Sequence, residues 1–453
     1  MNRISKRAWF ALALAIVLGL GMCAFAVRYC IEAGRWATFQ GSPHVYSGGN
    51  LNSGVVTDRT GTVLLDATDG RKYADSSLLR KATMHILGDR DGFIPSRVLE
   101  KYADELIGYN LITGTWNASG NGKMNLTISA QVQTAALEAL DGRKGTVGVY
   151  NYKTGEIYCA VTSPTYDPDH VPDIDEDDDD FDGIYVHRFF NSTYTPGSIF
   201  KLVTAVAAIE TIPDIEEQTF ECDGSYETGG EVITCNGVHG EVNFEQALAH
   251  SCNCAFGQIA EQLGAETLES YAKKLGIDQS LEFDGIGTAS GHIDLSNASD
   301  ADLAWSGIGQ ATNLINACQY MTVMGAIGGG GKAALPCIVQ KAGSGLTAHR
   351  MSKQQMDRVM EEETADKLTE MMRNNVVSMY GTENFPNLYV CAKSGTAEVG
   401  TNDPNATFAG FIKDPDYPLA FIVVVENGGS GSSVAGPIAG RVLKACVAAM
   451  DEE

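Results

Sequence analysis

The chain has 453 residues, with 32 Lys+Arg against 57 Asp+Glu and a formal net charge of −25. That length suggests two or three domains, and a composition 44% hydrophobic and 20% charged excludes a mainly disordered chain. So acidic a protein is a poor binder of nucleic-acid backbones, which would repel it, so no nucleic-acid partner is expected.

Residues 8–27, AWFALALAIVLGLGMCAFAV, carry no charge. Twenty residues at about 1.5 Å each suffice to cross a hydrocarbon core of about 30 Å. Arg3, Lys6 and Arg7 precede them, and positive charge is retained on the cytoplasmic side. An uncleaved anchor over 8–28 is therefore expected, with residues 1–7 inside and the rest extracytoplasmic. The alternative is a cleaved signal peptide, which would have a shorter apolar run and a small-x-small site.

A linker rich in Gly, Ser and Asn follows near Gln40 to Ser53. Val55-Val56-Thr57 and Thr62-Val63-Leu64-Leu65 flank Asp58-Arg59-Thr60-Gly61, the pattern of a hairpin. A helical segment around Pro95 to Leu106 and a turn-rich stretch from Thr113 to Lys123 complete a region, 29–124, without clustered reactive side chains. It reads as a small pedestal domain.

The remaining unit, 125–453, opens with strand-like Leu126-Thr127-Ile128. Ser129 can cap a helix bearing Val132, Ala136 and Leu140 on one face. Thr146 to Tyr150 and Glu156 to Val161 read as a hairpin. A mostly helical middle runs from Ser198 to about Gly330. Leu388 to Ala392, Thr407 to Ile412 and Leu419 to Glu426 supply three more strands, and Gly436-Pro437 opens a closing helix. Five strands split two and three around a helical insert predict one mixed α/β domain.

Between the first hairpin and the helices, eight of the ten residues Asp173 to Asp182 are acidic. Asp178, Asp180, Asp182 and Gly183 imitate the start of a calcium loop, but Phe189 stands where a bidentate Glu is needed. A solvated, self-repelling loop is the other reading. Eleven cysteines cannot all pair within one chain. Cys23 and Cys30 fall in or beside the anchor, whereas Cys159, Cys318, Cys391 and Cys446 sit in apolar runs and are expected in the core.

Three short motifs carry chemistry. Thr195-Pro196-Gly197-Ser198-Ile199-Phe200-Lys201 leads into an apolar helix and sets Lys201 on the same face as Ser198. Near a helix N-terminus a buried lysine sheds its proton readily and can serve as a base for the adjacent hydroxyl. Ser251-Cys252-Asn253 falls between two helical patterns, offering a hydroxyl for proton relay and an amide for orientation. Lys393-Ser394-Gly395-Thr396 ends the strand at Leu388 to Ala392, where a peptide could pair and its carboxylate meet Lys393 and Thr396. Each motif alone is common; in this order they are the shared signature of penicillin-binding proteins and class A β-lactamases.

With LTISAQVQ, TGEIYCAVTSPTYDP, HGEVNFEQALAHSCN, GIGQ and GVVTDRTG added, the chain resembles a class B, monofunctional penicillin-binding protein. The resemblance implies a five-stranded antiparallel sheet flanked by helices, preceded by a pedestal and one transmembrane helix. It also implies a D,D-transpeptidase acting on peptidoglycan stem peptides ending in D-Ala-D-Ala and acylated by β-lactams. Ser198 would be the nucleophile, Lys201 the base and Ser251 the proton relay. Asn253 and Lys393 would complete the catalytic set, with Ser394, Gly395 and Thr396 holding substrate. A SEDS-type glycosyltransferase would be the partner. A serine β-lactamase is usually shorter and lacks a pedestal, while a β-lactam sensor or scaffold would need a signalling region or a broken motif set. The roughly 95 residues between the anchor and Leu126 are expected to leave no room for a glycosyltransferase domain.

Cys222, Cys235, His239 and Cys252 follow the spacing C-x12-C-x3-H-x12-C, a donor set for a closed zinc site. Some rod-elongation members of the resembled family carry zinc in this segment. A Cys222–Cys235 disulfide and plain burial are the alternatives, and catalysis itself requires no cofactor.

Overall fold

The computed structural model describes residues 2–39, 42, 45–48, 50–109, 111–112, 114, 122–175, 178–343 and 348–452. Gln40, Gly41, Pro43, His44 and Gly49 of the expected linker, most of the turn-rich stretch, and Glu176 and Asp177 lie outside them.

Helix α1 (Asn2–Ala37) is continuous and extends well past the expected end at residue 28. Its apolar side chains from Ile4 to Phe25 face outward, and it is long and apolar enough to cross a membrane. The pedestal then begins with β1 (Val55–Thr57), β2 (Val63–Asp66), β3 (Lys72–Tyr73), α2 (Ser77–Leu87) and β4 (Lys123–Leu126). β1 and β2 form the expected hairpin, and β4 runs parallel to β1. Two short helices, Arg97–Lys101 and Ala103–Ile107, occupy the segment read as one helix.

The chain next lays down α3 (Ala130–Leu140), capped by Ser129, and the hairpin β5 (Gly145–Asn151) and β6 (Ile157–Ser163). The helical insert follows, with α4 (Lys201–Thr211), α5 (Asn253–Leu263) and α6 (Ala317–Gly328). Strands Thr219–Cys222, Ser225–Thr228, Glu231–Thr234 and Gly240–Asn243 interrupt it, a pair of small ribbons between helices. The chain then returns to the pedestal: β7 (Val339–Ala342) and β8 (His349–Arg350) extend the pedestal sheet, whose order is β8-β7-β4-β1-β2-β3. This sheet therefore draws on residues on both sides of position 124. Helix α7 (Glu362–Asn375), strands β9 (Val390–Val399), β10 (Asn402–Ile412) and β11 (Leu419–Val425), and α8 (Gly436–Asp451) finish the chain.

The central sheet is antiparallel, in the order β9-β10-β11-β5-β6. Every residue of β5, β6 and β11 is buried, because helices cover both faces. Alternation divides them: Phe421, Val423 and Val425 join the core with Val132, Ala136, Leu140, Val442 and Leu443, while Ile422 and Val424 join that of Met321 and Met324. Cys159, Cys318, Cys391 and Cys446 are fully buried in these cores. Phe189 is fully buried too, at the position a calcium loop would need as a ligand.

A buried ion pair ties the pedestal to the unit that carries the central sheet. Arg80 on α2 donates to both carboxylate oxygens of Asp167, at 2.7 and 2.6 Å, and Ser77 adds a third bond at 2.7 Å.

Candidate active site

The segment around Ser198 is shaped by close backbone approach. Gly197 has φ +58 and donates its N–H to Gly309 O at 2.9 Å; a Cβ on Gly309 would lie only 2.0 Å from Gly197 O. TPGS and GIGQ can pack this tightly only as glycines. Residues Gly197–Phe200 wind as a 3-10 turn that runs directly into α4. In that geometry residues three apart eclipse, which aligns Ser198 with Lys201 more closely than an α-helical start would.

Lys201 is fully buried. Its Nζ lies 3.0 Å from Ser198 Oγ, 2.7 Å from Ser251 O, 3.2 Å from Ser251 Oγ and 2.7 Å from Asn253 Oδ1. Burial pushes its pKa down to about 7, since an ammonium there has lost its water. A substantial neutral fraction then exists at neutral pH, within hydrogen-bond reach of the hydroxyl it would deprotonate.

Ser251 sits at φ +53, a left-handed conformation uncommon for serine. That twist returns its side chain to the cleft between two lysines, with Lys393 Nζ 3.0 Å from Ser251 Oγ. Lys393 is also fully buried and donates to Ser394 O at 2.8 Å. Its pKa is pushed well down by burial, then by the charge of Lys201. Asn253 was expected in the loop but is the first residue of α5; its Nδ2 donates to Thr234 O at 2.8 Å.

Lys393 to Thr396 lie within β9, not at its end, because the strand runs on to Val399. β9 is the sheet edge, so beyond Ser394 the outer side of its backbone is open to an added strand. Ser198, Ser251, Asn253, Ser394 and Thr396 together line a cleft of about 440 Å³. Gly395 lies beneath, where a Cβ would meet Thr407 Oγ1 at 2.2 Å. The sequence reading missed Trp305, Ser430 and Ser432 on the same cleft, and Tyr380 behind Ser394. These belong to no spaced motif; only folding brings them to the site.

The four predicted metal donors also converge. The ligand atoms of Cys222, Cys235, His239 and Cys252 all lie within 4.8 Å of one another. Cys222 Sγ and Cys235 Sγ are 3.4 and 3.6 Å from His239 Nδ1, and Cys235 Sγ is 3.9 Å from Cys252 Sγ. Tetrahedral zinc with these donors needs S···N near ~3.5 Å and S···S near ~3.8 Å, so the set fits the ion. Cys235 Sγ also accepts the Asn253 N–H at 3.2 Å, which joins this cluster to the catalytic set.

The family model of the penicillin binding protein transpeptidase domain matches residues 145–444. Stage V sporulation protein D of Bacillus subtilis is 28% identical over 347 residues, 71% of this chain but 53% of that protein. The chain thus spans about half the length of that relative. The peptidoglycan D,D-transpeptidase PbpA of Mycolicibacterium smegmatis is 28% identical over 360 residues, 72% of each chain. The imipenem acyl-enzyme of penicillin-binding protein A from M. tuberculosis superposes with a TM-score of 0.76 at 25% identity, covering 87% of this chain and 98% of that one. Motif order, the two-lysine pocket and a match over well over half its length agree: the chain belongs to the penicillin-binding protein transpeptidase family.

Proposed function

We propose that this protein is a membrane-anchored peptidoglycan D,D-transpeptidase. The observation that carries the reading is the buried amine of Lys201, 3.0 Å from the hydroxyl of Ser198. Ser198 Oγ attacks the carbonyl of the penultimate D-Ala of a stem peptide and gives its proton to Lys201. Backbone N–H groups of Ser198 and Thr396 receive the oxyanion, each worth on the order of 3 kcal/mol. The C–N bond to the terminal D-Ala then breaks, and Ser251, bonded to both lysines, passes a proton to the departing amine. An amine from a second stem attacks the ester, forms the crosslink and frees Ser198. Asn253 orients Lys201 and the acyl-chain amide, while Lys393, Ser394, Gly395 and Thr396 receive the donor peptide and its carboxylate.

Helix α1 would hold the enzyme in the membrane with residues 1–7 inside and the catalytic domain outside. A SEDS-type glycosyltransferase, met through α1 and the pedestal, would supply the glycan strands. Zinc held by Cys222, Cys235, His239 and Cys252 would brace the Ser251 to Asn253 turn, a structural task and not a chemical one.

Fluorescent penicillin tests the central reading. Wild type is expected to retain label for many minutes and Ser198→Ala to take none. Rapid loss of label would instead identify a β-lactamase, and no labelling a scaffold. For the metal, about one zinc per purified chain is expected; a zinc-free protein that melts at the same temperature would end that part of the proposal.

A further inference from the structure

The outer edge of β9 is not open along its whole length. Helix α7 and the widened turn that continues it, Val376–Tyr380, close it from below. Arg373 Nη1 donates to Val390 O at 3.1 Å and Asn375 Nδ2 donates to Ala392 O at 3.0 Å. Two residues further, the Ser394 N–H donates to Tyr380 Oη at 2.9 Å. Strand alternation puts Thr396 next on this side, and Thr396 lines the cleft. A peptide pairing with β9 thus has its edge ended by a phenol at Ser394.

Tyr380 touches Ser394 twice. Besides accepting from the amide, its oxygen lies 3.0 Å from Ser394 Oγ, and its ring packs edge-on against Phe408 at 5.1 Å between centroids. The family signature reads Lys-Thr-Gly, and Ser394 stands at its Thr position in this chain. Threonine is stiff about its first side-chain torsion, whereas serine is free to turn among three rotamers.

We propose that Tyr380 is a positioning residue for substrate-carboxylate recognition, clamping Ser394 in the orientation that a threonine would adopt by itself. The phenol accepts from the Ser394 amide and donates its own hydrogen to Ser394 Oγ. The serine hydrogen is then left for the terminal carboxylate of the donor peptide or of a β-lactam. This role rests on the transpeptidase reading above.

The test measures acylation by intact-protein mass, using penicillin G and its methyl ester, which lacks the free carboxylate. Tyr380→Phe should acylate about tenfold more slowly with penicillin G, the effect of one hydrogen bond, but less than about threefold more slowly with the ester. Tyr380→Phe/Ser394→Thr should recover most of that loss, because threonine supplies the missing rotamer preference. Equal losses with both ligands, no loss, or no recovery would each overturn the proposal. Should Tyr380→Phe melt early, the ratio of the two rates on the same folded fraction still decides. Wild type that takes no penicillin overturns the transpeptidase reading and this inference with it. If wild type acylates and Tyr380→Phe matches it, only the role of Tyr380 fails.

Discussion

At the junction of pedestal and catalytic domain, Arg80 and Asp167 are less than a tenth exposed and satisfy each other through two hydrogen bonds. In the catalytic pocket, Lys201 and Lys393 are buried more deeply, and their partners are hydroxyl, amide and carbonyl oxygens. Among the described residues no carboxylate pairs with either lysine. Both regions bury charge, with opposite results. Pairing with opposite charge keeps Arg80 and Asp167 ionised and turns burial into a rigid joint. Burying two cations without a carboxylate partner makes their protons leave easily, which is what a base requires.

Removing the base should have the largest effect. Lys201→Ala is expected to slow acylation by penicillin by about 10³-fold or more while Ser198 stays in place. A loss below tenfold would mean that another group accepts the Ser198 proton.

At the junction, Asp167→Ala should deprive the buried Arg80 guanidinium of its main counter-ion, leaving it Asp169 at 3.5 Å, and cost about 3 kcal/mol of unfolding free energy. Replacing both partners, as Arg80→Met/Asp167→Leu, should cost less, because no unpaired charge remains. Hydrogen bonding from Arg80, assisted by Ser77, holds the Asp167 carboxyl well below its usual range. Its stabilisation is therefore present above about pH 4 and lost as the pH falls further. Denaturant melts of these variants at pH 7 and pH 3 check both statements; a loss under about 1 kcal/mol at pH 7 would show the joint to be solvated.

The smallest effect separates the regions by pH. With Lys201 lowered to about 7, the neutral form dominates above that value, so acylation should rise as the pH climbs from 6 to 8. Asp167 does not titrate there, so the Arg80–Asp167 joint itself contributes no change in stability over that range. Acylation flat over that range would place the pKa of the base elsewhere.

Much of the site was legible because motifs are local. Ser198 and Lys201 are three residues apart, and any helical turn brings them together. The strands of the central sheet were legible for the same reason, since Leu419–Val425 is apolar at every position. The ends of elements were harder. Lys393 and Thr396 look like a polar stop to a strand, yet pairing with β10 carries the ladder through them to Val399. Likewise Cys252 caps α5 and draws Asn253 into the helix.

By itself, the sequence determined the order and spacing of the reactive groups, the apolar α1 segment, and the hydrophobic alternation that builds the central sheet. These are properties of near neighbours along the chain. Only the tertiary structure decided that Val339–Ala342 rejoins the pedestal, and that Ser251 turns back between two lysines. It also decided that Tyr380 ends the open edge at Ser394. The depth at which Lys201 is buried was likewise set only there. Those features depend on desolvation and on contacts between residues far apart in sequence, so they exist only once distant segments have packed.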